Sequence, residues 1–384
     1  MVDLSLSSVQ LDVRAAVRSW VDEVVAPQAL RNDREERFPV EALDGLREMG
    51  FIGMTIGEQW GGGGADPLTY CLFIEELGRG DANVRSVVSV HLGLVAGSIQ
   101  RWGSAEQKER WLPAMATGQV LGCFALTEPD HGSNPADLRC SADPLRGGGW
   151  RISGRKVFIT NGSIAGVALV MARTGGPGSA GVSAFLVPTD QPGFTAHPVH
   201  GKLGLRSCDT AEIVLDGVQV GAEALLGPAG DGLKVALSAL DDGRMSIAAS
   251  CAGLGQAALE AMVAYAGTRE QFGKPIAGHQ LVQEMIADSA VAVDAARLLT
   301  WAVADRKARG EHYSLAASKA KLFATEASVR VADACVQVHG GYGYVEEFPV
   351  CRHFRDSKIL EIGEGTSEVM RILIARELGL PFSD

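Results

Sequence analysis

The sequence predicts an α+β protein, mainly α. It reads as an N-terminal helical domain (residues 1–121), a middle β domain of barrel or sandwich type (122–232) and a C-terminal four-helix bundle (233–384). Two observations carry this reading. The apolar period changes from about 3.6 to about 2 near Gly122 and returns to about 3.6 near Gly232. The last third then holds long helical runs joined by short connections, the pattern of an antiparallel bundle. Strands and helices do not alternate, which excludes a doubly wound sheet or an α/β barrel. A chain of 384 residues, 46% hydrophobic and 21% charged, can fill several cores and is too apolar for disorder.

The elements follow in order. Val13, Val17, Trp20, Val21 and Val24 recur at helical spacing, and Pro27 follows as a stop signal. Pro39 opens a second helix with Ala42, Leu43, Leu46 and Met49, ending at Gly50. Four consecutive glycines at 61–64 mark a loop, since a helix there loses too much entropy. Residues 68–79, 84–101 and 108–115 again read as helices. Short β-type runs follow at 150–152, 156–160, 167–171, 182–187 and 213–220, the last around an Asp216-Gly217 turn. In the bundle, 237–267 is small and apolar throughout. Residues 281–307 carry Met285, Ile286, Ala292, Leu298, Leu299 and Trp301. Residues 315–338 place Leu315, Leu322, Val329 and Val336 on one face at seven-residue steps.

The formal net charge of -11 argues against a nucleic-acid partner, which calls for a basic face. Seven scattered cysteines form no CxxC pair, so a reduced compartment is expected rather than a disulfide framework or a zinc site. His197 and His200 are the one close histidine pair and lack further ligands nearby, so no metal is expected. Residues 1–20 lack the layout of a signal peptide, and no run of eighteen apolar residues occurs. A cytoplasmic enzyme with no membrane association is the expectation.

Five stretches carry possible chemistry. Phe124, Leu126, Thr127, Glu128, Pro129, Gly132 and Ser133 lie where a strand runs into a turn rich in hydroxyls and backbone donors, able to face a polar ring or a phosphate. Phe158, Ile159, Thr160 and Asn161 place an aromatic beside a hydroxyl at a strand end. Arg269, Phe272, Gly273 and Gln280 set a cation and an amide near a helix break, a place for a pyrophosphate. Gln337, Val338, His339, Gly340 and Gly341 end a helix in paired glycines that let a ligand or a backbone approach. Glu364 sits between Gly363 and Gly365, ahead of Thr366, Ser367 and Glu368. A carboxylate held there can be desolvated and can act as a general base, while Thr366 or Ser367 caps the next helix. Each stretch alone also reads as an ordinary turn, core strand or helix end.

Together, in this order and spacing, they make the chain resemble the acyl-CoA dehydrogenase family along essentially its whole length. The resemblance implies FAD, flanked by Phe124 to Ser133 and Phe158 to Thr160, with Thr127 near its reactive ring. Arg269, Phe272, Gln280, Gln337 to Gly341 and Thr366 to Glu368 would hold the dinucleotide across a subunit contact in a homotetramer. Glu364 would take the α-proton of an acyl thioester while flavin N5 takes the β-hydride. Burial beside an acyl chain should raise its pKa. Asp241, Asp242, Gly243 and Arg244 match the segment lining the thioester path. Arg244 reads equally as a partner of that loop and as an ion pair with Asp241. Ser133 matches a contact to CoA, and Gly365 adjoins the substrate. Electron transfer flavoprotein is the implied acceptor.

The wording around Glu128 to Pro135, together with Arg85 and Ser89 four residues apart, resembles the glutaryl-CoA branch. There an Arg and a Ser bind the far carboxylate, and decarboxylation follows. Two departures stand against that branch: Gly363 replaces an aromatic before the base, and Gly78 or a neighbour replaces an acidic residue ahead of Arg85. A segment at 295–301 resembles short-chain enzymes. The expected substrate is therefore a short acyl-CoA, straight, branched or carboxylated. The alternative is the same chemistry on an acyl group held by an acyl carrier protein.

Overall fold

A computed structural model describes residues 5–381. Its architecture is the helical–β–helical arrangement that the sequence predicts. The helices before the sheet are α1 (Ser8–Trp20), α2 (Ala26–Glu35), α3 (Val40–Glu48), α4 (Pro67–Gly80), α5 (Ala82–Ser89), α6 (Gly97–Trp102) and α7 (Ala105–Ala116). Side chains of Ser7, Asp66, Asp81 and Ser104 cap α1, α4, α5 and α7 by accepting first-turn N–H groups.

Pro27 does not end the first helix. A π-turn over Val21–Val25 links α1 to α2, and the Ala26 N–H reaches back to the Val21 carbonyl. Pro27 then falls in the first turn of α2, where its missing N–H breaks nothing. A second π-turn, Val90–Ala96, joins α5 to α6.

The middle of the chain forms one eight-stranded mixed sheet. Its strands are β1 (Gly122–Ala125), β2 (Ser141–Pro144), β3 (Trp150–Thr160), β4 (Val167–Arg173), β5 (Val182–Pro188), β6 (Phe194–Pro198), β7 (Thr210–Val220) and β8 (Leu225–Leu226). The order is β6-β7-β3-β2-β4-β5-β8, with β1 pairing β4 in parallel. Two expected runs, 150–152 and 156–160, are one strand. Asp216-Gly217 is not a hairpin turn either: it lies inside β7, where the register against β3 shifts and Gly217 adopts φ 65°. That is the signature of a bulge, which bends a strand without ending it.

The second helical part holds α8 (Gly232–Thr268), α9 (Gln280–Ala308), α10 (Ser314–His339), α11 (Val350–Leu360) and α12 (Ser367–Glu377). The stripe of Leu315, Leu322, Val329 and Val336 is only half-buried. The buried face of α10 is instead Ala317, Ala320, Ala324, Ala327, Val331 and Cys335. Small residues let α10 approach α8 closely, and the larger side chains turn to the flank. The 37-residue α8 and the stretch Ala82–Trp102 are long and apolar enough to cross a membrane, but most of each lies buried inside the protein, as in a core helix.

Candidate active site

Five elements converge on Glu364. The residue ends the loop between α11 and α12 in a left-handed backbone conformation, φ 56°, followed by Gly365 at φ 101°. A non-glycine residue rarely holds that conformation without surrounding support. Its side chain reaches α8 at Gly243: a Cβ placed on that glycine would fall 1.7 Å from Glu364 Oε2. Gly243 is therefore what admits the carboxylate. Glu364 keeps part of its surface open, but Oε2 is sealed from solvent with no hydrogen-bond partner. Burial raises its pKa to about 7, against the pull of Arg85, Lys321 and Arg244. That is the range suited to a general base near neutral pH.

Arg85, on α5, is 3% exposed, so it is no surface arginine at a helix start. Its Nε has no partner, and burial lowers its pKa. Ser89, one turn on, is also buried. The Ser89 hydroxyl lies 2.9 Å from Ser246 Oγ, and Ser246 Oγ lies 3.0 Å from the Tyr70 hydroxyl. This chain of hydroxyls makes a buried polar cluster beside Glu364.

Gly78 leaves no room for the acidic residue considered above, because a Cβ there would come within 2.7 Å of the Ser250 carbonyl on α8. At Gly363 the reverse holds: a side chain would meet only the Ile359 carbonyl, at 3.5 Å, so the missing ring leaves space.

Asp241 and Asp242 spend their carboxylates on protein partners. Asp241 accepts from Arg244 Nη1 at 2.7 Å and from Ser314 at 3.0 Å. Asp242 accepts from Lys307 at 2.6 Å and from Tyr313 at 2.5 Å. Of that segment, Gly243 meets Glu364 directly; Arg244 is buried, acting on the Glu364 charge while paired with Asp241.

The loop after β1 is bolted to β3. Glu128 accepts from the Arg139 N–H at 2.6 Å, the Cys140 N–H at 2.9 Å and Lys156 Nζ at 2.9 Å. Lys156, fully buried, also donates to the Leu126 carbonyl at 3.0 Å. At the far end of β3, the Asn161 amide donates to the carbonyls of Val87 and Gly122, tying α5 to the strand ends. Leu126 and Ile159 turn into the core, so only their backbone faces outward. Phe124, Thr127 and Thr160 are half-buried, and Gly132 and Ser133 are exposed. Phe158 is 71% exposed at φ 58°, an apolar ring presented to open space.

A second cleft, of about 570 Å³, lies between the end of α8 and the end of α10. Tyr265, Arg269, His339, Gly340, Gly341 and Tyr342 line it. Arg269 stands over the Tyr342 ring at 5.8 Å. His339 is buried, stacked on Tyr265 at 4.2 Å, and Val338 is buried as well. Their side chains build the wall, while Gly340 and Gly341 leave free space beside it. Phe272 is 93% exposed, and Gln280 and Gln337 are exposed too. Thr366 caps α12 by accepting from the Val369 N–H at 3.2 Å, with Ser367 buried and Glu368 exposed.

Three family models match the chain in succession: the acyl-CoA dehydrogenase N-terminal domain over residues 7–119, the middle domain over 123–218 and the C-terminal domain over 230–379. An acyl-CoA dehydrogenase of Bacillus subtilis (strain 168) is 40% identical over 370 residues, 96% of this chain and 97% of that protein. The solved structure of butyryl-CoA dehydrogenase from Megasphaera elsdenii has a TM-score of 0.96 at 36% identity, covering 98% of this chain and 100% of the other. That of glutaryl-CoA dehydrogenase from Mycobacterium smegmatis scores 0.93 at 37% identity, covering 99% and 97%.

The chain belongs to the acyl-CoA dehydrogenase family. It is a flavin-dependent oxidoreductase, and its cofactor is FAD. The residues present suit that group: an outward aromatic at Phe158, hydroxyls at Thr127 and Thr160, and a basic, glycine-walled cleft around Arg269.

Sequence reasoning missed Tyr70, Ser246 and Lys321. Tyr70 and Ser246 come from other helices and announce nothing locally. Lys321 does leave a signal, because it sits in the same helical stripe as Ala317, Ala324 and Ser328, all buried.

Proposed function

We propose that the protein dehydrogenates a short acyl-CoA carrying a carboxylate at its far end. Glu364 removes the α-proton, and FAD, when bound, accepts the β-hydride. The observation that supports the substrate is Arg85, a buried guanidinium close enough to Glu364 to act on its charge but in no salt bridge among the described residues. A buried charge without a partner is strongly disfavoured, and an anionic substrate end would supply one. Ser89 adds a hydroxyl donor to that end. The space at Gly363 lets the acyl group carry a branch. Positioning the α-proton against Glu364 supplies much of the rate.

The oligomer belongs to the same reading. The Glu364 site, docked on α8 at Gly243, and the cleft around Arg269 lie far apart along α8. Gly243 and Arg269 stand 26 positions apart, roughly 39 Å along a straight helix. One protomer cannot bring both clusters to one small molecule, which favours a cofactor site completed by a neighbouring copy in a homotetramer. Electron transfer flavoprotein is proposed as the acceptor.

The test is an anaerobic visible spectrum of the purified holoenzyme titrated with glutaryl-, butyryl- and isobutyryl-CoA. Bleaching by glutaryl-CoA at the lowest concentration is expected. Bleaching by butyryl-CoA alone would overturn the carboxylate reading. Glu364→Gln should stay yellow and fail to bleach.

A further inference from the structure

Lys321, on α10, is fully buried in the bundle. Its ammonium donates to the Gly365 carbonyl at 2.6 Å, and no carboxylate of a described residue pairs with it. Burial lowers its pKa to about 8, with Arg244 lowering it further and Cys251, Glu364 and Glu361 opposing. A lysine does not sit in a stripe of alanines for packing alone. Its single bond goes to the carbonyl of the residue that follows Glu364, at the turn where φ runs 56° and then 101°.

From this geometry we infer that Lys321 is a positioning residue, whose buried ammonium pins the Gly365 carbonyl, holds Glu364 under Gly243 and eases its ionisation. The inference deepens the reading of Glu364 as the base and rests on it for its effect on turnover. The groups facing Glu364 are Tyr70 on α4, Arg85 on α5, Asp242 and Arg244 on α8, and Lys321 on α10. Glu361 lies on its own segment and faces Lys321. Among the cations facing Glu364, the Lys321 ammonium is the one that also grips the loop backbone.

Two variants separate the grip from the charge. Lys321→Gln keeps a donor for the Gly365 carbonyl and removes the charge. Lys321→Met removes both. The holoenzyme of each is compared with wild type in two ways. One is the pH titration of the Glu364 carboxyl band by infrared difference spectroscopy, the band being assigned by its absence from Glu364→Gln. The other is anaerobic flavin reduction by the thioester that bleaches wild type.

Both variants should move the carboxyl midpoint upward by about one pH unit. Lys321→Met should also lower the reduction rate about 100-fold with KM changed little, and Lys321→Gln should lose less. A Lys321→Gln midpoint and rate equal to wild type would overturn the inference. So would a loss of Tm in both variants with the midpoint unmoved, which is what a merely structural lysine gives. If Lys321→Met does not fold, Lys321→Gln decides. Turnover surviving in Glu364→Gln would sink the base reading alone, because the infrared midpoint reports on Lys321 independently.

Discussion

Glu364 and Gly243 are complementary: the carboxylate of one occupies the volume that any side chain on the other would take, with a Cβ at 243 falling 1.7 Å from Glu364 Oε2. A residue in the first third of a 37-residue helix thus decides whether a loop carboxylate more than a hundred positions away can dock. Alanine is a better helix former than glycine by about 1 kcal/mol. Gly243→Ala should therefore fold at least as well as wild type, since the clash falls on the end of a movable side chain. Its flavin reduction should slow about 100-fold, because the carboxylate is displaced from the α-proton. A reduction rate within threefold of wild type would refute the complementarity.

The raised pKa of Glu364 sets a pH dependence with a definite sign. The base must be ionised to work, so flavin reduction should rise with pH and level off above about 7. Stability runs the other way. The folded chain holds the proton up to about 7, whereas the ordinary carboxylate value is 4.5, so folding free energy declines as pH rises between those values. Glu364→Gln should consequently show a higher Tm than wild type at pH 8, with the gain shrinking as pH falls towards 4.5. Thermal scans across that range test it, and equal melting at pH 8 would contradict it.

Arg85 invites a variant with two readouts. Arg85→Met keeps the bulk and deletes a buried guanidinium that has no carboxylate partner among the described residues. Its Tm should hold or rise, because an unmatched buried charge is removed. Its KM for glutaryl-CoA should rise at least 50-fold, on the order of the 2–3 kcal/mol of a charge-assisted hydrogen bond. Bleaching by butyryl-CoA should survive. A Tm that falls by many degrees would mean that Arg85 serves the fold instead.

Glu128 anchors the loop before Ser133. Its side chain is 6% exposed and that of Lys156 is fully buried. Glu128→Ala leaves a lysine buried without its partner, a change that costs about 3–5 kcal/mol. Chemical denaturation should show that loss. Replacing both residues by apolar ones of similar volume should restore most of it.

The parts that were legible in the sequence are those whose meaning is local. Glu364 stands between two glycines, and the glycine pair at 340 and 341 ends a helix, so both can be recognised without knowing what faces them. The switch of period near Gly122 marked the sheet for the same reason. Ser89 was legible beside Arg85, but the hydroxyl cluster it joins was not, because Tyr70 and Ser246 come from two other helices and meet it only after packing. The bundle seam was misplaced because the large residues Leu315 and Leu322 drew attention from the alanines that make the contact. Pro27 was read as a stop, since nothing in one sequence announces the π-turn that accommodates it.

α8 carries Gly243 in its first third and leads directly into Arg269 at its end. A rod of this kind permits substitution but not a change of length. One added residue between those points would turn everything beyond it by about 100° and advance it by about 1.5 Å, carrying the far cluster off its target. Between β4 and β5 the chain passes through Gly175, Gly176 and Gly178, where extra residues only enlarge a surface loop. Among relatives of this chain, insertions and deletions should therefore gather in that loop and spare the segment from Gly243 to Arg269, whatever acyl group each has come to accept.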